Sequence, residues 1–432
     1  MKLITAGEFD GYWKDVSGQR EDGAVLDAVR GIIAAVRSEG DQAIRRFAAR
    51  FDRSAPEVLE VPEAAAQAAW ERLRGEEPAL AAALESAADH IRHFSELQKA
   101  QLRDFEYEMA PGLFTGQRVI PVKRAAVYVP GGRFPLISSV LMGVIPAAAA
   151  GVEEVLAVSP PQEDGLPDRR ILAAAYLAGA RRFFALGGAQ AIAGLALGTE
   201  TIPRVDVIAG PGNKYVAAAK RLLYGEVGID FVAGPTDVLI IIDGAGDADL
   251  AAADMLAQAE HDPDARARTL VCGRDLADRI LRAVEQRLAA LPTADVAAAS
   301  LDAGGLIIIY NTREEAVRIA NSIAPEHLEL QTAGAGDWIP LLHNYGSLFI
   351  GPRAAEVLGD YSAGINHTLP TSGSARFTGG LSVRHFLKTV TTLRGGEGTG
   401  YDEALRGAEI LARAEGLWGH YQSAGLRHLN SN

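Results

Sequence analysis

The sequence almost lacks cysteine: Cys272, in "TLVCG", is the only one among 432 residues. No disulfide can form within the chain, and any zinc site has to use nitrogen and oxygen donors. Cys272 itself reads as a small apolar strand residue. Long apolar runs are missing too, since none approaches the roughly 20 residues that a membrane-spanning helix needs. The opening "MKLITAGEFDGYW" has no continuous apolar segment of the secretory kind, so a cytoplasmic protein with no membrane partner is expected. Positive charge is in deficit: the formal net charge is −13. No basic stripe is left to neutralise phosphates, which argues against a nucleic-acid partner. Low-complexity tracts are absent, and no strand is followed by the G-x-G-x-x-G fingerprint of dinucleotide binding.

What is present is an ordinary globular composition, 48% hydrophobic and 22% charged, in a chain long enough for two or three domains. After a charged helical region at about 24–104, short β-rich runs alternate with helical stretches. "RAAVYV", "EEVLAVS", "RRFFALGG" and "VDVIAGPGN" alternate with helices such as "DRRILAAAYLAG" and "KYVAAAKRLLYG". A second series follows from "VLIIID" through "RTLVCG", "GLIIIYN" and "HLELQ" to "GSLFIG". Strands separated by helices of this length indicate βαβ units and mostly parallel sheets. The fold class is therefore α/β, with two modules in tandem, the first ending near Pro235. Beyond residue 380 the pattern turns helical and more polar, as in a separate tail.

Ligands of open parallel sheets bind outside the carboxyl ends of the strands. Gly-rich turns stand at several such ends: "YVPGG", "LGGAQ", "AGPGN" and "AGPTD", adjoined by Tyr128, Gln190, Asn213 and Thr236. Glycine lets backbone amides approach a ligand closely, and a following helix N-terminus favours an anion. Turns of this kind are commonly Gly-rich without a ligand, and only their clustering with polar residues points to a cleft.

Nine histidines offer candidates for chemistry. His90 and His93, on a helical face, and His343, His385 and His428, among polar or mixed neighbours, read as solvated. Four others stand in odd places. His261 ends the helix "DMLAQAEH" with Gln258 on the same face, so both side chains reach one point beyond its end. His367 lies in "GDYSAGINHTLPTSG", which also carries Asp360, and His420 follows Glu415 in "AEGLWGHYQ". His327 adjoins Glu326 in "APEHLEL", where a helix-like stretch runs through a proline into an acid and an imidazole. Gln258, His261, Asp360 and His420 make an N/O donor set for zinc, although no spacing rule compels it.

Seven motifs in order, "VYVPGGRFPLISSVLMGVIPAAAAG", "GGAQAIAGLALGTE", "GPGNKYV", "LAQAEHDPDA", "APEHLEL", "GDYSAGINHTLPTSGSARF" and "AEGLWGHYQ", closely resemble the histidinol dehydrogenase family over about residues 24–427. The resemblance implies NAD-dependent oxidation of L-histidinol to L-histidine through L-histidinaldehyde. It implies two incomplete Rossmann-like parallel-sheet domains with small N- and C-terminal helical segments. Their expected bounds are 1–24 for the N-terminal segment, 25–127 with 236–382 for the first domain, 128–235 for the second, and 383–432 for the tail. It further implies one zinc per subunit on Gln258, His261, Asp360 and His420, and an acid/base pair formed by Glu326 and His327. Substrate contacts fall on Thr236, Gln258, His261, His327, Asp360, Glu415 and His420, and NAD contacts on Tyr128, Gln190 and Asn213. The family is a homodimer with shared sites, so Glu415 and His420 are expected to complete the site of a second copy. The chain departs from the family pattern at Thr236-Asp237, where Ser-Glu is more frequent, at Arg133 and Phe134, and at Arg384 and His385.

The residue types suit the chemistry. Oxidising an alcohol requires removal of the hydroxyl proton as hydride leaves, a task for an imidazole, and the aldehyde step requires activated water, a task for the neighbouring carboxylate. A rival expectation is a related zinc and NAD enzyme acting on another alcohol, such as a sulfonated diol. Glu415 separates the two, since a carboxylate suits an ammonium-bearing substrate and repels a sulfonate. A non-catalytic zinc- or nucleotide-binding protein would have no need of the Glu326–His327 pair.

Overall fold

Alternating β-branched runs and Ala/Leu-rich stretches give the strands and helices of an α/β protein in the computed structural model, which describes residues 1–16, 22–131 and 135–429. Arg133 and Phe134 lie outside the described residues. In chain order the first strands are β1 (Lys2–Thr5), β2 (Glu60–Val61), β3 (Phe105–Ala110), β4 (Leu113–Pro121), β5 (Arg124–Tyr128), β6 (Glu154–Ser159), β7 (Arg182–Ala185), β8 (Val207–Ala209) and β9 (Gly228–Ile229). They are followed by β10 (Asp237–Ile242), β11 (Arg266–Cys272), β12 (Leu306–Tyr310), β13 (His327–Gln331), β14 (Ser347–Ile350) and β15 (Leu387–Gly395).

Two six-stranded sheets carry the larger of two compact units, which comprises residues 1–96 and 123–386. One sheet has the order β1-β12-β11-β10-β13-β14 and is parallel throughout. The other has the order β2-β7-β6-β5-β8-β9 and is parallel except where β2 joins its edge antiparallel to β7. Central strands such as β10 ("DVLIII") are buried along their whole length, as expected for a parallel sheet covered by helices on both faces.

Within the larger unit the expected partition changes in three places, and residues 97–122, expected in the first domain, fall in the smaller unit. The helix Gly23–Glu39 starts where the Asp22 side chain accepts from Val25 N, and it buries Val25, Val29, Ile32 and Val36 on one face. That stripe packs into the same core as Phe184, Leu186, Ile192 and Ile208, so the region after residue 23 belongs with the second sheet rather than the first. β5 pairs with β6 and β8, so residues 124–127 belong there too. β1, placed by the sequence in a separate N-terminal segment, is the edge strand beside β12.

The smaller unit comprises residues 97–122 and 387–432. The tail expected to be helical begins with β15, which pairs antiparallel with β4, and β3 completes a three-stranded sheet. Helices Thr399–Ala414 and Trp418–Leu429 follow. This unit leaves Tyr107, Met109, Leu393, Ile410, Leu411, Trp418 and Leu426 exposed, with Leu393 at 73%. Among the described residues, no helix is long and apolar enough to cross a membrane.

Candidate active site

The stretch "APEHLEL" is a helix-to-strand corner. The helix Arg313–Ile323 begins in a capping box made by Thr312 and Glu315. It ends at Ala324, which takes the left-handed conformation at φ 51° and ψ 63°, and Pro325 cannot continue it. Glu326 then stands just before β13, and its backbone N–H donates to Asp237 Oδ1 at 2.9 Å. β13 lies between β10 and β14, so its alternation separates two buried faces. Leu328 and Leu330 enter an apolar cluster with Ile241, Ile308 and Ile319, while His327, Glu329 and Gln331 are buried on the opposite side. Alternation in a strand usually marks a wet face; here the polar face is closed off as well.

His327 opens into a cavity of about 200 Å³ lined also by Ser139, Thr236, His261, Glu326, Glu356, Asp360 and His367. His327 Nδ1 lies 3.5 Å from Glu356 Oε1 and its Nε2 lies 3.8 Å from Asp360 Oδ1. Neither ring nitrogen has a hydrogen-bond partner, although the residue is buried. The Glu326 carboxylate accepts from Thr236 Oγ1 at 2.5 Å and from Asp237 N at 3.1 Å. The fully buried Gln258 amide lies between Thr236 Oγ1, at 2.8 Å, and the Glu356 carboxyl. With its nitrogen turned towards Glu356 it donates there at 2.7 and 3.2 Å, and its oxygen then competes with Glu326 for the single Thr236 hydroxyl proton.

Burial sets the protonation states. Desolvation opposes charge on Glu326 and holds its carboxyl well above the usual range; the Thr236 hydrogen bond pulls the other way. Glu356 is raised well above its usual value by burial and by the neighbouring carboxylates, Asp360 foremost. Burial lifts Asp360 to about 7. His327 is lowered to about 3, first by burial and then by the nearby His367, and His367 is lowered to about 4 by burial. The site therefore combines carboxyls reluctant to ionise with neutral imidazoles, a state that a cation would relieve.

Donor atoms of His261, Glu356 and Asp360 all lie within 4.8 Å of one another, and His261 Nε2 is 4.0 Å from Asp360 Oδ2. The His261 imidazole, the clustered oxygens of Glu356 and Asp360 and the lack of cysteine fit a borderline divalent cation such as zinc. Cys272 is exposed at the far end of β11.

Thr236, Gln258, His261, Glu326, His327 and Asp360 thus come together as the sequence suggests. Thr236 and His261 also line an adjoining cavity of about 790 Å³ with Pro211, Gly212, Asn213 and Lys214. Asn213 caps the helix Lys214–Leu223, accepting from Tyr215 N and Val216 N at 3.0 and 3.1 Å. The turn before it is locked: Gly210 has φ 109°, and a Cβ there would meet Tyr128 O at 2.1 Å. Gly210 N donates to Asp230 Oδ2 at 2.8 Å and Gly210 O accepts from Lys220 Nζ at 3.0 Å. Tyr128 and Gln190 are buried and line neither cavity; the Tyr128 hydroxyl accepts from Gly188 N at 3.1 Å, and Gln190 Nε2 reaches Asp52 Oδ2 at 3.5 Å. Glu415 and His420 are exposed residues of the smaller unit.

Glu356 escaped the sequence reading, Asp237 was noticed only as a departure from the family pattern, and His367 was noticed without a role. A signal existed for Glu356: it stands four residues before Asp360, on one face of the short helix Glu356–Tyr361. His90, His93 and His343 are exposed as expected, with His90 Nδ1 donating to Ser362 O at 2.7 Å. His385 differs, being half-buried beside Ser382 N at 3.2 Å. The side chain of His428 lies outside the described residues.

Fold and site define an α/β protein with buried carboxyls and imidazoles clustered where a cation could be held. The histidinol dehydrogenase family profile matches residues 16–428. A histidinol dehydrogenase from Thermus thermophilus is 47% identical over 94% of this chain and 95% of its own length. Another from Methylococcus capsulatus is 43% identical over 95% and 93%. The crystal structure of histidinol dehydrogenase from Elizabethkingia anophelis superposes with a TM-score of 0.91 at 32% identity, covering 100% of this chain and 98% of that one. The chain belongs to the histidinol dehydrogenase family and is an oxidoreductase.

Proposed function

We propose that the protein oxidises L-histidinol to L-histidine through L-histidinaldehyde, passing one hydride to each of two NAD molecules, in histidine biosynthesis in the cytoplasm. The observation that carries this is the buried Glu326–His327 pair facing a small polar cavity with both imidazole nitrogens unpartnered.

His327, neutral because burial opposes its charge, takes the hydroxyl proton as the first hydride leaves for NAD. Glu326, whose basicity burial enhances once it is ionised, takes a proton from the water that adds to the aldehyde. The second hydride then leaves the hydrate, and the product is a carboxylate. Gln258, His261 and Asp360 would hold zinc, with His420 of a second copy as the fourth ligand, and Glu356 stands among the same donors. Zinc, when bound, orients the substrate through its imidazole and amine nitrogens.

The larger cavity suits NAD, with Asn213 and the N-terminus of the helix Lys214–Leu223 on its wall. Tyr128 and Gln190, expected to touch NAD, instead tie down the start of the helix Gly188–Leu197, Tyr128 through Gly188 N and Gln190 through Asp52. The exposed apolar residues of the smaller unit support a homodimer in which Glu415 and His420 enter the other copy's site, Glu415 facing the substrate ammonium.

The test is NADH formation from a panel of small alcohols, with and without a chelator. Two NADH per histidinol, lost on chelation and restored by zinc, is the expected result. A sulfonated diol turned over in preference to histidinol would overturn the assignment.

A further inference from the structure

We infer that Asp237, clamped from behind by the buried Arg268, is the positioning residue that holds the Glu326 carboxyl at the edge of the catalytic cavity. The inference rests on the role given to Glu326 above.

Two hydrogen bonds tie residues 237 and 326 reciprocally. Asp237 Oδ1 accepts from Glu326 N at 2.9 Å, and Asp237 N donates to Glu326 Oε2 at 3.1 Å. Glu326 N needs this partner because it precedes β13, whose pairing with β10 starts at His327 opposite Val238. The other Asp237 oxygen receives Arg268 Nη1 at 2.9 Å, with both side chains buried. Arg268 in turn sits over the Trp13 ring, its guanidinium carbon 5.2 Å from the centroid. Asp237 and Arg268 lie on neighbouring strands, β10 and β11, so the clamp is part of the sheet.

Charge explains why a cation is needed there. Two carboxyls this close in a buried place oppose each other, and burial already disfavours both. Arg268 neutralises Asp237 from the side away from the cavity, leaving its second oxygen free to hold the Glu326 backbone. Thr236 adds its hydroxyl to the same Glu326 oxygen. The carboxyl is thus gripped by Thr236 and by the backbone of 237, and its main chain by the Asp237 side chain.

Three proteins test this: the parent, Arg268→Lys, and the double variant Asp237→Val/Arg268→Met. Replacing both members by apolar residues avoids an unpaired buried charge and leaves only the Glu326 N–H without its acceptor, so the double variant should melt no more than a few degrees below the parent. Its kcat for histidinaldehyde oxidation should nevertheless fall by about 10²-fold, the order of loss from misplacing a reacting group by ~1 Å, with KM for NAD within about twofold. Arg268→Lys keeps the cation and should retain kcat within about threefold. A double variant with parental kcat would overturn the assignment, as would a loss matched by an equal fall in melting temperature and a rise in KM. A crystal structure of the double variant supplies a readout independent of substrate. Displacement of the Glu326 carboxyl from Thr236 Oγ1 and the residue-237 amide is expected, and an unmoved carboxyl would refute the inference. Failure of the functional reading looks different: the parent itself would leave histidinol and histidinaldehyde unoxidised while the crystallographic comparison still decides the clamp.

Discussion

Replacing Lys220 by methionine should cost the protein both stability and grip on NAD. Lys220 and Asp230 form an ion pair whose side chains are 3% and 0% exposed. Between them they hold Gly210 by its amide and its carbonyl, and Asp230 Oδ1 also accepts from Phe231 N at 2.7 Å. Removing the cation leaves the Asp230 carboxylate buried without its partner, a change worth about 3–5 kcal/mol. Set against a typical total of roughly 5–15 kcal/mol, that is a large fraction. For a unit of this size the melting temperature should drop on the order of 5–10 °C. Because Gly210 leads directly into Pro211 and Asn213, the freed turn should also raise KM for NAD by roughly tenfold, equivalent to ~1.4 kcal/mol. The assay is a double-mutant cycle of Lys220→Met, Asp230→Asn and the pair, followed by thermal melts and by initial rates at varied NAD. The double variant, with both charges gone, should regain most of the lost stability. A single variant that loses less than about 1 kcal/mol, or a double variant no more stable than either single, would refute the reasoning.

Further outcomes are expected around the catalytic cavity. Glu326→Gln should impair oxidation of histidinaldehyde more than of histidinol and His327→Asn the reverse, by roughly 10²–10⁴-fold in single-turnover experiments, with zinc content unchanged; equal damage to both steps would mean the pair acts as one unit. His261→Ala should lose most of about one zinc per chain as read by metal analysis, because His261 belongs to the donor cluster; full retention would remove it from the ligand set. Mixing His327→Ala with His420→Ala subunits should restore activity in exchanged dimers, and inactivity despite proven exchange would count against shared sites. Glu329, buried against Asp254, has its carboxyl raised to about 8. A carboxyl that binds its proton more tightly in the folded chain loses its stabilising effect as pH rises from its unfolded value to its folded one. Glu329→Gln should therefore gain stability relative to the parent between about pH 5 and pH 8, and a pH-independent difference in melts would exclude this.

Much of the site was legible because its signals are local. Pro325 after a helix, a Gln and a His at the end of "DMLAQAEH", and Gly-rich turns closing strands are features of a few adjacent residues, each with its own backbone or side-chain logic. Glu356 was harder, since an acid on a short polar helix resembles any solvated residue until its surroundings are known. Asp237 was harder still. It looks like a strand opener, and only the approach of Glu326, just before β13, and of Arg268 on β11 gives it partners.

By itself the sequence determined the α/β class, the change of module near Pro235, the lack of thiolate pairs for any metal site, and the placing of Glu326 beside His327 after a helix-ending proline. Strand and helix periodicity, turn chemistry and composition act over a few residues and survive without knowledge of the rest of the chain. The tertiary structure alone decided which strands pair: β15 with β4 across the length of the chain, β1 with β12, and the helix Gly23–Glu39 with the sheet of β5 to β9. It alone decided, too, that the polar side of "HLELQ" is sealed from water. Pairing and desolvation are long-range, set by which distant segments remove water from a face. The raised carboxyls of Glu326 and Glu356 and the neutral imidazole of His327 follow from that removal.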